Sequence, residues 1–219
     1  MPDESIAAPP SSTGSPRALA TRIRLSLLAG AIIPFLYFGA QGLAAPFFPG
    51  FSFWAHTASV LGSDLSTRPA ILNAGAALSG AAGLTASYGL FRALRHHGVW
   101  LVVTVLVAAC SISMGLASLW AATHPLPDPR HNPGILGAGM FAAPFLVLLA
   151  SLALPRAAGL KWYLVANVLV FFLVASLYAG LFPVDLRSYA GAVQRLGALV
   201  MLVPIPVLCF WLLRHTRVE

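Results

Sequence analysis

Six long apolar runs, with nearly every charge confined to the gaps between them, constrain this chain more than any other feature. About 20 apolar residues at a rise of about 1.5 Å each cross the hydrocarbon core of a bilayer. The expected fold is therefore all-α: a six-helix transmembrane bundle of three outward-opening hairpins. Its spans fall at approximately 23–45, 70–91, 99–122, 134–154, 162–182 and 191–213. Only 9% of the 219 residues are charged and 58% are hydrophobic, whereas a soluble domain carries about 25% charged residues.

Residues 1–21 are rich in Pro, Ser and Ala, show no apolar period and read as a disordered cytoplasmic tail. Residues 22–219 are left as the membrane domain. A cleaved signal peptide is the rival reading of the first run, because Arg17, Arg22 and Arg24 precede it, but the run is long for such a segment. The net charge of +7 does not point to nucleic acid, since the basic residues form no stripe. They sit at span ends and report orientation. Nine of the thirteen Lys and Arg residues fall on the side of the termini and four (Arg68, Arg130, Arg187 and Arg195) on the other. The positive-inside rule then places both termini in the cytoplasm. Cys110 and Cys209 lie inside apolar runs, so no structural disulfide is expected. High Ala, Gly and Arg usage points weakly to a high-GC bacterial source, and so to the plasma membrane.

In the second span Gly75, Ser79 and Gly83 recur every four residues beside Ala76 and Gly80. That spacing permits close helix approach, and packing is preferred to a ligand groove. Pro34, Pro144, Pro204 and Pro206 lie within spans and are expected to kink them.

The outer loops hold the unusual chemistry. Each carries one aspartate with an arginine close by: Asp64 with Arg68, Asp128 with Arg130, Asp185 with Arg187. The loops at 125–132 and 182–189 also share an Asp-x-Arg pattern, a short echo of a hairpin repeat. The first loop is long and aromatic, with Phe47, Phe48, Phe51, Phe53 and Trp54 suited to the headgroup zone. A short interfacial or re-entrant helix is expected over Phe53–Leu65, placing His56, Ser59 and Ser63 on one face. Asp64 would end it, an unfavourable place for an anion, so an arginine partner is expected there. Gln194 and Arg195 stand about one turn into the last span and face these loops.

Two accounts fit. Asp/Arg pairs could pin the loops to one another, or the cluster could form a pocket for a lipid headgroup or a small anionic ligand. The candidate ligand-binding set is His56, Ser59, Asp64, Arg68, Asp128, Arg130, His131, Asp185, Arg187 and Arg195. In it Arg68, Arg130 and Arg195 would meet anionic groups, the aspartates would orient them, and His131 would donate a hydrogen bond or tune the site with pH. The expected partners are membrane lipids and a small ligand at the outer face, with a homo-oligomer left open.

No catalytic, metal-binding or cofactor residue is assigned. A serine, a histidine and an aspartate are present, but without a nucleophile elbow or triad spacing. There is no HExxH, and the six histidines lie in loops or near span ends, away from where a haem would be ligated. No charged residue sits at a span centre, which argues against an ion-driven transporter. The alternatives are a membrane-embedded enzyme acting on a lipid-linked substrate through His56, His131 and Asp128, and a small permease formed by an oligomer.

Several of these short patterns occur together. They are Ser59-x-x-Gly62 within HTASVLGSD, Asn73 at the head of the glycine-rich span ILNAGAALSGAAGL, the loop HPLPDPRHNPG with Asp128 and His131, and Gln194-Arg195 opening the last span. In these the chain resembles a family of multi-pass prokaryotic membrane proteins, the domain of unknown function numbered 998, over roughly residues 23–213. The resemblance implies a six-helix membrane domain and carries no activity or catalytic residue with it.

Overall fold

The structure, a computed structural model, describes residues 16–124, 134–183 and 186–215, and among these it is all helical. Eight α-helices follow in order: α1 (Pro16–Ala31), α2 (Ile33–Ala44), α3 (Ala70–Leu94), α4 (Trp100–Thr123), α5 (Gly134–Leu152), α6 (Ala158–Tyr178), α7 (Leu186–Leu202) and α8 (Pro204–His215). Three stretches are long and apolar enough to cross a membrane: α4, α6 and the α7–α8 continuum over Ser188–His215. A fourth is added if α1 and α2, bent by 41° at their junction, count as one span. The outward surface fits the same medium, with Phe35 and Trp162 each 74% exposed and Leu43 69%. Large apolar side chains turned outward in such number suggest a membrane protein.

Prolines divide the first and last runs. Pro34 stands in the first turn of α2, where its ring would clash with the carbonyl four residues back and its missing N–H breaks the ladder. Pro204 opens α8, where an absent N–H costs least. The bond from Val207 N–H to the Val203 carbonyl, 3.2 Å, carries the chain across that junction. Pro144 behaves differently: it lies inside α5, which runs on through it. α1 begins at Pro16, within the segment read from sequence as tail.

α3 is the hub, flanked by α1, α2 and α4. Its small residues make this possible. A Cβ added at Gly75 would strike Ala40 of α2, and at Gly89 it would come within 3.0 Å of the Leu27 nitrogen of α1. On the α4 side, a Cβ at Gly80 would lie 2.8 Å from the Ser111 carbonyl. The stripe is thus filled by neighbouring backbones on two sides. α1 and α8 meet closely as well, for Gly30 faces the Cys209 sulfur at a distance that leaves no room for a side chain. Both cysteines are free and buried.

The two proline junctions come together at one small cavity of about 10 Å³, lined by Ile33, Ser79, Ser111, Met201 and Ile205 among others. Such a space holds about one water at most. Its two hydroxyls already donate, Ser79 to the Gly75 carbonyl and Ser111 to the Val107 carbonyl. It is a packing gap, too small for an organic ligand.

Candidate binding site beneath the first long loop

The chain between α2 and α3 closes on itself. The Phe47 carbonyl accepts from the Thr67 N–H at 2.9 Å and the Thr67 hydroxyl at 3.0 Å, bringing the loop ends together. Within it, Phe48, Phe51 and Phe53 stack edge to face at 5.8 and 5.0 Å, with the His56 ring 5.5 Å from Phe48. The helix expected over Phe53–Leu65 is reduced to one 3-10 turn, Ala58–Gly62. Serines explain the difference, because they bind nearby backbone in place of helical bonds. The Ser52 hydroxyl accepts from the Trp54 and Ala55 N–H groups, and Ser63 donates to the Val60 carbonyl at 2.8 Å.

This loop is latched to α7. The Arg195 Nη1 donates to the carbonyls of Phe53 at 2.8 Å, His56 at 2.9 Å and Gly191 at 2.9 Å. Gln194 Oε1 accepts from the Ala58 N–H at 2.6 Å, and the Ala192 N–H donates to the Trp54 carbonyl at 2.9 Å. Gly191 lets the chains meet, since a Cβ there would lie 2.6 Å from the Phe53 carbonyl oxygen. A second tie comes from α3, where Asn73 Nδ2 donates to the Gly62 carbonyl at 3.0 Å. Ser59-x-x-Gly62, Asn73 and Gln194-Arg195 therefore form one clamp on one loop, although they lie far apart in the chain.

Arg195 is only partly used by this latch. Its guanidinium lies over the Phe53 ring at 4.8 Å and the Phe51 ring at 5.5 Å. Nη1 serves the three carbonyls, yet Nε and Nη2 are buried with no hydrogen-bond partner. Those two N–H groups form the side-on edge of the guanidinium, the edge that grips a carboxylate or phosphate in two places. Tyr37 stands on α2, a helix that meets α7. One turn further along the same face is Gln41, 1% exposed, with neither Nε2 nor Oε1 partnered. A buried polar atom without a partner costs about 1–3 kcal/mol, and more when charged. Among the described residues the other buried side-chain polar atom without a partner is Arg92 Nε, in the last turn of α3.

The sequence-derived candidates divide accordingly. His56 and Arg195 are brought together through a backbone carbonyl, while the His56 Nδ1 accepts from the Ser52 N–H at 3.0 Å. The Ser59 hydroxyl lies 3.1 Å from that of Thr57. Asp64 and Arg68 are exposed, and among the described residues neither forms an ion pair; Arg68 instead lies 5.9 Å from the Phe47 ring centre. Asp128, Arg130, His131 and Asp185 lie outside the described residues, and of Arg187 only its place in the first turn of α7 is described. Among the described residues no group of three His, Cys, Asp or Glu is placed to hold a metal ion. Gln41, Tyr37 and Gly191 were not singled out from sequence. The available signal was that Gln41 and Gln194 are the chain's two glutamines and both lie in apolar runs.

An all-helical chain with long apolar helices and an aromatic loop clamped onto its last helical run defines a class of helical proteins suited to a membrane. Within that class, the family described as a protein of unknown function, DUF998, matches residues 28–211, and the chain belongs to it. No curated protein and no solved structure matches.

Proposed function

We propose that this chain is a six-span plasma-membrane protein that binds, without catalysis, an anion-headed ligand beneath its first outer loop. In this reading the chain forms three outward-opening hairpins with both termini in the cytoplasm. Support for the orientation is the excess of Lys and Arg on the side of the termini. The observation that carries the binding role is the Arg195 side-on edge, buried and unpartnered beneath a loop that the same side chain secures. A desolvated guanidinium edge has one strong complement, a planar or tetrahedral anion with two oxygens. A phospholipid headgroup and a soluble phosphate or carboxylate share that chemistry.

The test is thermal stability in an uncharged, phosphate-free detergent, with and without added anion. Phosphatidylglycerol should raise the Tm of the wild type, while diacylglycerol, which has the same chains and no phosphate, should not. Arg195→Lys keeps a charge able to reach the loop carbonyls but cannot offer two parallel donors, so it should fold and lose the shift. Inorganic phosphate or acetate acting alone would identify a soluble ligand, and action by the lipid alone a headgroup. Equal shifts in wild type and Arg195→Lys, or none with any anion, would refute the reading.

A further inference from the structure

We infer that α7 is the gate to the anion site. Its outer part swings away from the loop about the Val203–Pro204 junction, and the bonds from Gln194 and Arg195 hold it shut. What enters rests on the anion-binding reading above; the motion does not. Arg195 Nε and Nη2 are buried, so an anion reaches them only if the loop or α7 moves.

The loop is the firmer wall. Its ends are joined at Phe47 and Thr67, and Asn73 of α3 holds its Gly62 carbonyl at 3.0 Å. Leu61, fully buried, packs with Ala40 and Ala44 of α2 and Leu72 of α3, and Phe48 and Phe51 lie against that cluster. α7 is held otherwise. Between Ser188 and Leu196 its one buried residue is Gly191, and the loop atoms that crowd Gly191 are the Phe53 and His56 carbonyl oxygens. Hydrogen bonds, more than apolar packing, fix this part of α7 to the loop.

The other end of α7 is built to bend. Pro204 and Pro206 supply no N–H, which takes the helical donors from the Val200 and Leu202 carbonyls. Asn167 of α6 donates to the Val200 carbonyl at 3.0 Å in place of the missing group. Beyond the junction α8 is anchored: Ile205, Leu208, Cys209 and Leu212 are buried, and the Cys209 sulfur sits against Gly30 of α1. The small cavity adjoins the junction at Met201 and Ile205, where a flexible methionine can repack. A proline pair between an anchored segment and one held by a few polar bonds makes a hinge.

The test places pairs of spin labels on the full chain in uncharged, phosphate-free detergent and reads distances by double electron–electron resonance. Both native cysteines are buried. Trp54→Cys with Leu196→Cys spans the gate, and Trp54→Cys with Leu78→Cys spans loop and α3; all three sites are exposed. Gln194→Leu should raise the long-distance population of the gate pair by about fivefold or more, the effect of one lost buried hydrogen bond. The loop–α3 pair should not change. Pro204→Ala returns an N–H to the Val200 carbonyl and should reverse most of the rise. Phosphatidylglycerol or inorganic phosphate should shrink the long-distance population in Gln194→Leu, and should fail to do so once Arg195→Lys is added.

Lengthening of the loop–α3 pair instead would make the loop the moving wall and overturn the gate. So would a gate pair that Gln194→Leu leaves unmoved, or a rise that Pro204→Ala leaves untouched. A gate that moves as described but ignores both anions would remove the anion reading and leave the gate standing.

Discussion

Gln194→Leu isolates one strand of the loop latch. Ala58 is 2% exposed, and its N–H is held by the Gln194 Oε1 at 2.6 Å across 136 residues of sequence. Leucine fills a similar volume and accepts nothing, so the Ala58 N–H becomes a buried donor without a partner. That costs about 1–3 kcal/mol. The remaining ties, Arg195 to Phe53 and His56, Ala192 to Trp54 and Asn73 to Gly62, stay in place. The loss should therefore fall on local opening of the loop, raising its equilibrium constant by about 5- to 150-fold. Hydrogen exchange read by mass spectrometry, with the protein in nanodiscs, measures this directly. Peptides covering 56–62 should exchange faster by that factor, while α3 and α4 stay unchanged. Gln194→Glu retains an acceptor oxygen and should fall between wild type and Gln194→Leu. Unchanged exchange at 56–62, or equal acceleration in every helix, would sink the latch as described.

Three further outcomes follow from the close contacts. Gly62→Ala places a Cβ 2.5 Å from Asn73 Oδ1, so it should break the Asn73 tie and lower stability by about 1–3 kcal/mol, read as a fall in Tm. In contrast, Gly39→Ala meets nothing within 4 Å on an exposed helix face and should be neutral or stabilising by up to about 1 kcal/mol. Gly75→Ala puts its Cβ onto Ala40 and 3.2 Å from the Leu36 carbonyl, and should destabilise the α2–α3 contact by about 1–3 kcal/mol in the same melt. Because both native cysteines are buried, single cysteines report orientation cleanly: an impermeant maleimide applied to intact cells should label Thr67→Cys and spare Gly98→Cys, and the reverse pattern would invert the proposed topology.

Much of the helical frame was legible because apolar run length is a coarse signal that tertiary contacts rarely override. The α1–α2 break was legible from Pro34, and the α7–α8 junction from Pro204, since each removes a ladder donor. Pro144 has the same chemistry, yet α5 continues through it. Neighbouring helices and local adjustment can satisfy the one freed carbonyl, and nothing in the sequence around Pro144 records that. The small-residue stripe of α3 was read correctly as packing, but its two-sidedness was not. Gly75 and Gly89 face one pair of helices and Gly80 faces another, which depends on which neighbours arrive.

The loop and its clamp show where sequence stops informing. His56, Ser59 and Ser63 suggest a helix face by spacing, but serines at such positions have a local alternative and take it, leaving a five-residue 3-10 turn. Arg195 stood out because a charge inside an apolar run demands a reason. Its reason could not be read, because two of the three carbonyls it meets lie 139 and 142 residues away and belong to backbone, which carries no residue-specific signal. Expecting an aspartate partner was natural for an arginine, yet here three backbone carbonyls hold one end of the guanidinium instead. They differ in what they leave over. A bidentate aspartate would have taken the side-on edge, whereas carbonyl contacts through Nη1 alone leave Nε and Nη2 unspent. Gln41 drew no notice because one uncharged amide does not interrupt a long apolar run, although once buried each of its two unmet ends costs about 1–3 kcal/mol. A polar residue in an apolar run is therefore informative in proportion to what it fails to find, and only the folded chain shows that.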